Sequence, residues 1–166
     1  MRTPDERDLP SIERGIRDPD VIRAFGRLKA SAQELLDLNR RHWDDGTAAT
    51  FAICDAADEC VGHVFVNLSA AARGSVGYWL LPQARGKGLA TRAVRLVSAW
   101  ALRDLGLARL ALLTEPSNQP SQRVAERSGF QREGILRSYA EIDERRVDYV
   151  IFSLLRTDVD PGESQV

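Results

Sequence analysis

Residues 81–94 read LPQARGKGLATRAV. Pro82, Gly86 and Gly88 make a turn, Arg85 and Lys87 charge it, and a helical pattern begins at once behind it. Glycines let backbone N–H groups converge on a concavity, and a helix start adds unpaired N–H groups and the positive end of its dipole. The stretch therefore reads as a cradle for a phosphate. Two common phosphate loops fail on spacing. The nucleotide-triphosphate loop needs G-x-x-x-x-G-K-[ST], but Gly88 follows Gly86–Lys87 and Leu81 stands where the first glycine belongs. The dinucleotide fingerprint needs G-x-G-x-x-G, and its third glycine is Thr91 here.

Upstream of the turn, GSVGYWLL (74–81) reads as a strand. Downstream, a helix runs to about Asp104, with Leu89, Ala93, Leu96, Val97, Trp100 and Ala101 as its apolar face and Gly106 as its stop. ARLALLT (108–114) is almost continuously apolar, the mark of a central strand. A strand–helix–strand unit thus spans Gly74 to Thr114, with the turn inside it.

The flanks extend the pattern. LPSIERGIRDP and DPDVIRAFG are short helices punctuated by Pro19 and Gly26. SAQELLDLNRRHW is a third, opened by the capping box Ser31/Glu34, with Leu35, Leu38 and His42 or Trp43 on one side. TAATFAIC and ECVGHVFVNL form a hairpin around DAAD, where Cys54 and Cys60 can face each other. PSQRVAERSG is a short helix ending at Gly129, and FQREGILRSYAEI and RRVDYVIFSLL form a closing hairpin around DERR. The class is α/β, a mixed sheet with helices on both faces. One domain over residues 1–158 accounts for the pattern; the polar end RTDVDPGESQV leads into a loose tail, 159–166.

Bulk composition excludes several functions. A net charge of −1 leaves no footprint for nucleic acid or an anionic membrane. No apolar run approaches the ~20 residues of a membrane span, and MRTPDERDLP lacks a signal-peptide core. The expectation is a cytoplasmic chain, where a reducing environment argues against a permanent disulfide. His42, His63, Cys54 and Cys60 fit no zinc spacing, so no metal is expected.

Gln83-Ala-Arg-Gly86-Lys-Gly88 also matches Q/R-x-x-G-x-G/A, and there the residues resemble the pyrophosphate loop of the GNAT superfamily of acyl-CoA N-acyltransferases. VGYWLLPQARGKGLATRAV is similar to that superfamily's strand–turn–helix core. Asn118, Ser121 and the pair Gly129–Phe130 follow in the order seen in the subgroup of ribosomal-protein N-terminal (alanine/serine) acetyltransferases, as do EGILRSY and the final FSLL. The likeness covers roughly Asp5 to Asp158. It departs at the N-terminus, where the family's opening strand is short or missing. Arg92 stands where the helix often carries Glu, and Ala125 where many members place a general-acid Tyr.

The resemblance implies a mostly antiparallel sheet splayed at the acyl-CoA site, and direct acyl transfer from acetyl-CoA to an amine. It places the donor's pyrophosphate and pantetheine on Leu80, Leu81, Gln83, Arg85, Gly86, Lys87, Gly88, Leu89, Ala90, Asn118 and Ser121. A backbone N–H near Leu80 steadies the thioester oxygen. With Ala125 in the tyrosine's place, Ser121 is the candidate acid for the leaving thiolate, although a serine and an asparagine at a helix start also serve as caps. Glu115 is the candidate base, with Glu141, Asp143 and His63 behind it; Tyr139 is a candidate for substrate contact or proton relay, and Trp79 for groove wall.

The acceptor stays open between a protein N-terminus, a lysine, a polyamine, an aminoglycoside and another small-molecule amine. The donor is acetyl-CoA or a longer or acidic one such as succinyl-CoA, for which Arg73, Arg85 and Arg137 could meet a second carboxylate. The rival readings are a non-catalytic acyl-CoA-binding or sensing domain and a nucleotide module. Membership would also suggest a homodimer.

Overall fold

The computed structural model describes residues 1–159; the remainder of the expected tail, 160–166, lies outside the described residues. The elements are α1 (Leu9–Arg17), α2 (Pro19–Phe25), α3 (Ala32–Asp44), β1 (Ala48–Cys54), β2 (Cys60–Ser69), β3 (Arg73–Leu80), α4 (Leu89–Arg103), β4 (Arg109–Thr114), α5 (Gln119–Arg127), β5 (Gln131–Ile142), β6 (Arg145–Leu155) and α6 (Arg156–Val159). Short 3-10 turns, Glu6–Asp8 and Pro82–Ala84, precede α1 and α4. No helix among the described residues is long and apolar enough to cross a membrane.

The strands form one sheet in the order β1-β2-β3-β4-β6-β5. Every neighbouring pair is antiparallel except β3–β4, the pair joined through α4. That parallel pairing stops early. It joins Arg73, Gly74 and Ser75 to Arg109, Leu110 and Ala111, and residues 76–80 of β3 have no β4 partner. The sheet therefore splits beside the turn, between two strands that each keep their other neighbour.

Strand alternation separates the two helical layers. Val76, Tyr78 and Leu80 join the main core with Ala90, Ala93, Val94, Val97 and Ala101 of α4 and Ala125 of α5. On the opposite face Trp79 packs so closely on α1 that a Cβ at Gly15 would lie 2.6 Å from its ring. The Ser11 hydroxyl pins α1 to the sheet by donating to the Cys60 carbonyl at 2.6 Å.

Several expectations shift. On α3 the buried face is Ala32 and Leu36; Leu38 and Trp43 are exposed. The helix touches α1 along that narrow line, and Trp43 instead joins Phe51 and Trp100, with ring centroids 5.5 and 6.2 Å away. On α4, Leu96 is 59% exposed while Ala90, Val94 and Leu102 are buried; small residues line the contact with the sheet, and the helix is rotated by about one residue from the expected face. The opening strand is reduced to a single bridge between Arg2 and Ala52 on β1's free edge. Residues 156–159 are not loose: they form α6, Val159 packs on the core, and its carbonyl accepts from Arg103 at 3.0 Å. Cys54 and Cys60 are register partners across the hairpin, both as free thiols.

Candidate active site

The turn is held from behind and open in front. Leu81 is buried and its N–H donates to the Val61 carbonyl at 2.8 Å. Ala84 is also buried, and the 3-10 turn closes through Ala84 N–H to Leu81 and Arg85 N–H to Pro82. Gly86 and Gly88 then take φ of +74° and +75°, a region that residues with a Cβ adopt only at a cost. Neither has an atom within 4 Å of where a Cβ would sit. No side chain caps α4, and among the described residues no backbone acceptor meets the N–H groups of Gly86, Gly88, Leu89 and Ala90. Gln83 and Lys87 are exposed at the same lip.

Arg85 is placed differently from the expectation that it simply adds charge to the turn. Its Nε donates to the Leu80 carbonyl at 3.0 Å, and its two other nitrogens donate to Asp18 and Asp20, each at 2.6 Å. Asp18 also caps α2, accepting from the N–H groups of Asp20 and Val21. The guanidinium thus ties the end of β3 to the start of α2. Strand parity adds a consequence. The Leu81 N–H faces β2, so the N–H of Leu80 faces the split, with its carbonyl already taken by Arg85.

Across the split, Asn118 caps α5 by accepting the Ser121 N–H at 3.1 Å. That uses its oxygen and leaves its amide nitrogen to donate elsewhere. Ser121 is half-buried in the first turn of α5, near enough to the phenol of Tyr78 to influence its ionisation. Burial pushes that phenol's pKa up and Ser121 pulls against the rise. Ala125 is fully buried, so α5 offers no phenol of its own.

The other candidates stand apart from this pair. Glu115 follows β4 and accepts from Arg145 at 3.2 and 3.3 Å. Tyr149 lies near both; burial and the Glu115 carboxylate raise its pKa while Arg145 lowers it. Tyr139 is 58% exposed on the edge strand β5, 6.1 Å from the Tyr149 ring. Glu141 lies 3.9 Å from Arg146. Asp143 accepts the Arg27 N–H at 3.2 Å, which latches the α2–α3 loop to the β5–β6 turn.

His63 is buried beside Trp79, with ring centroids 4.9 Å apart, and its Nε2 meets no partner among the described residues. Burial pulls its pKa down to about 4; Asp8 opposes this and Arg2 adds to it. A histidine depressed in the fold stabilises above its unfolded value near 6.5, and that stability drains as pH falls through the interval to about 4. Between pH 7 and 4.5 the wild-type chain should therefore lose about 2 kcal/mol more unfolding free energy than a His63→Phe variant. Urea titrations at both values test this, and parallel losses would contradict it.

Sequence reading missed Tyr78, Asp18 and Asp148, whose carboxylate accepts the N–H of Ser138, a positive-φ residue in the β5 irregularity. Alternation with Val76 and Leu80 was the available signal for Tyr78. No local signal pairs Asp18 with Arg85.

Residues 1–131 match the acetyltransferase (GNAT) domain. The chain is 33% identical over 117 residues to the "uncharacterized N-acetyltransferase p20" of Bacillus licheniformis, covering 69% of this chain and 66% of that protein. Curated relatives are matched over about half to two thirds of their own length. Among solved structures, the ribosomal-protein-S5-alanine acetyltransferase of Vibrio fischeri superposes with a TM-score of 0.78 at 25% identity, covering 95% of this chain and 92% of that one. The spermidine N-acetyltransferase of Vibrio cholerae, solved with CoA and spermine, shares the fold with a TM-score of 0.82 at 21% identity, over 95% of each chain.

Proposed function

Because the chain belongs to the GNAT acetyltransferase family, we propose that it is an N-acyltransferase, taking an acetyl group from acetyl-CoA and giving it directly to a primary amine. The observation that carries the reading is the split between β3 and β4 opening beside a glycine turn where the N–H groups of Gly86, Gly88, Leu89 and Ala90 meet no backbone acceptor among the described residues. The residues present fit the donor, since the space that a Cβ would enter at Gly86 and Gly88 is empty.

In this reading Gly86, Lys87, Gly88, Leu89 and Ala90 hold the pyrophosphate through backbone N–H groups, with the Lys87 ammonium and Gln83 at the lip. Leu80 and Leu81 line the pantetheine path, and the Asn118 amide donates to it. When bound, acetyl-CoA supplies an activated acyl thioester. The Leu80 N–H then faces the developing oxyanion, a contact worth about 3 kcal/mol where such donors have been removed. Arg85 serves this site by holding the Leu80 carbonyl. Ser121 gives its proton to the departing sulfur. Glu115 orients the amine and takes its proton through water, with Arg145 steadying the carboxylate; Tyr139 meets the acceptor at the rim. The acceptor is a protein N-terminal amine or a small-molecule amine; the V. fischeri protein is named for an alanine of ribosomal protein S5 and the V. cholerae protein for spermidine.

Calorimetry with CoA and with ATP, followed by release of free thiol from acetyl-CoA and succinyl-CoA over a panel of Ala- and Ser-initial peptides, lysine peptides and polyamines, tests the proposal. CoA binding with no ATP binding, and thiol release with acetyl-CoA, is the expected result. Binding without release from any pair would leave a carrier or sensing domain instead.

A further inference from the structure

We propose that Asp18 is a positioning residue for the transfer: it holds the Arg85 guanidinium on the Leu80 carbonyl and away from the donor's pyrophosphate. The inference rests on the acyltransferase reading and adds a residue to it. Its starting point is that Arg85 stands immediately before Gly86, in a turn shaped for phosphate, yet all three of its nitrogens already have protein acceptors, on Leu80, Asp20 and Asp18. Asp18 is 7% exposed and Asp20 is exposed, so water screens the Asp18 charge less. The place of Asp18 is set without Arg85. Its N–H closes α1 on the Gly15 carbonyl at 3.1 Å, and Gly15 packs on the ring of Trp79, the residue before Leu80. Its Oδ1 caps α2 by accepting from Asp20 and Val21 at 3.0 and 3.2 Å. A carboxylate fixed by two helices thus sets an arginine on the last residue of β3.

What the arginine does there follows from the direction of Leu80. Its N–H and C=O both point to the split, because the Leu81 N–H points to β2. The N–H that meets the oxyanion therefore has a carbonyl dipole of the wrong sign beside it. A cation on that carbonyl offsets the repulsion. The peptide that carries the carbonyl is tied at its other end too, where the Leu81 N–H donates to Val61 at 2.8 Å. Without the Asp18 charge, the guanidinium has a competing acceptor one residue along the chain, in the phosphate that the Gly86 turn binds. The donor is then held more tightly and its thioester is served less well. The carboxylate keeps these two uses of one arginine apart.

The test uses wild type, Asp18→Asn, Arg85→Gln and the double variant. Asparagine keeps the cap, since its amide oxygen accepts the same two N–H groups, and thermal unfolding checks that each variant is folded. The first readout is calorimetry with CoA. Asp18→Asn should bind it about three- to tenfold more tightly than wild type, and the double variant should lose that gain. Arg85→Gln should stay within about threefold of wild type, because the guanidinium is spent on Leu80 and the two carboxylates. The second readout is turnover. Asp18→Asn should lower kcat about tenfold without raising KM for acetyl-CoA, and the double variant should be no slower than Arg85→Gln. Wild-type kcat in Asp18→Asn overturns the proposal. So does a loss of about tenfold or more in CoA affinity on Arg85→Gln, which would put the guanidinium on the phosphate in the wild-type chain. Weaker CoA binding together with slower turnover in Asp18→Asn also overturns it, as the mark of a merely structural role. If Asp18→Asn tightens CoA binding while wild type frees no thiol with any amine, the acyltransferase reading fails alone and the hold of Asp18 on Arg85 stands.

Discussion

Gly88→Val lowers the affinity for CoA by about a hundred- to ten-thousandfold while leaving the fold intact. Gly88 sits at φ +75° immediately before α4. Left-handed backbone is strained for any side chain and most for a β-branched one, so the valine forces the turn out of that conformation. The N–H groups of Gly88 and Leu89 then no longer converge. Hydrogen bonds from such groups to a charged acceptor contribute roughly 1.5–3 kcal/mol each, and losing two accounts for the expected range. The side chain also enters space that the cradle leaves open. The fold survives because residues 86–88 are exposed and Leu81 and Ala84 anchor the turn from below. Calorimetry with CoA, paired with a thermal unfolding curve, separates the effects. Wild-type affinity in a folded Gly88→Val chain would remove the turn from the donor site.

What could be read in the sequence was local. The turn is six consecutive residues and the α4 pattern repeats within fifteen, so spacing alone placed the strand–helix–strand unit. Rotational detail did not survive. Leu35 and Leu36 are both apolar neighbours on α3, and only the packing of α1 decides that Leu36 is the buried one. The same holds for Val94 and Leu96 on α4. Long-range polar partners were invisible for a different reason. Arg85 reads as a phosphate ligand because it lies in a phosphate turn, yet its carboxylates come from residues 67 and 65 positions away. Ser121 was legible through its distance from Asn118, whereas Tyr78, on a strand far away in sequence, comes near it only through the fold. Asn118 carried two readings, cap and ligand, and its oxygen serves the first while its nitrogen is left for the second.

Arg2→Met destabilises the chain by about 3 kcal/mol, out of proportion to its place at the N-terminus. The strand that should open the fold is one bridge, Arg2 to Ala52, with N–H to O distances of 3.4 and 2.8 Å. So little pairing cannot hold the edge of β1. What holds it is Asp8, which is 1% exposed and takes both terminal nitrogens of Arg2 at 2.7 and 2.8 Å. The Asp5 N–H adds a third bond at 3.0 Å. Removing the guanidinium leaves a buried carboxylate with that single donor, and breaking one partner of a buried pair costs far more than the intact pair contributes. Replacing both at once, Arg2→Met with Asp8→Leu, should restore most of the loss, because no buried charge then remains. Arg7→Met, at an exposed pair with Asp5, should leave the unfolding midpoint unchanged. Urea unfolding at pH 7 reads all three. If Arg2→Met behaves like Arg7→Met, the buried pair does not carry the N-terminal edge, and the vestigial bridge must be enough by itself.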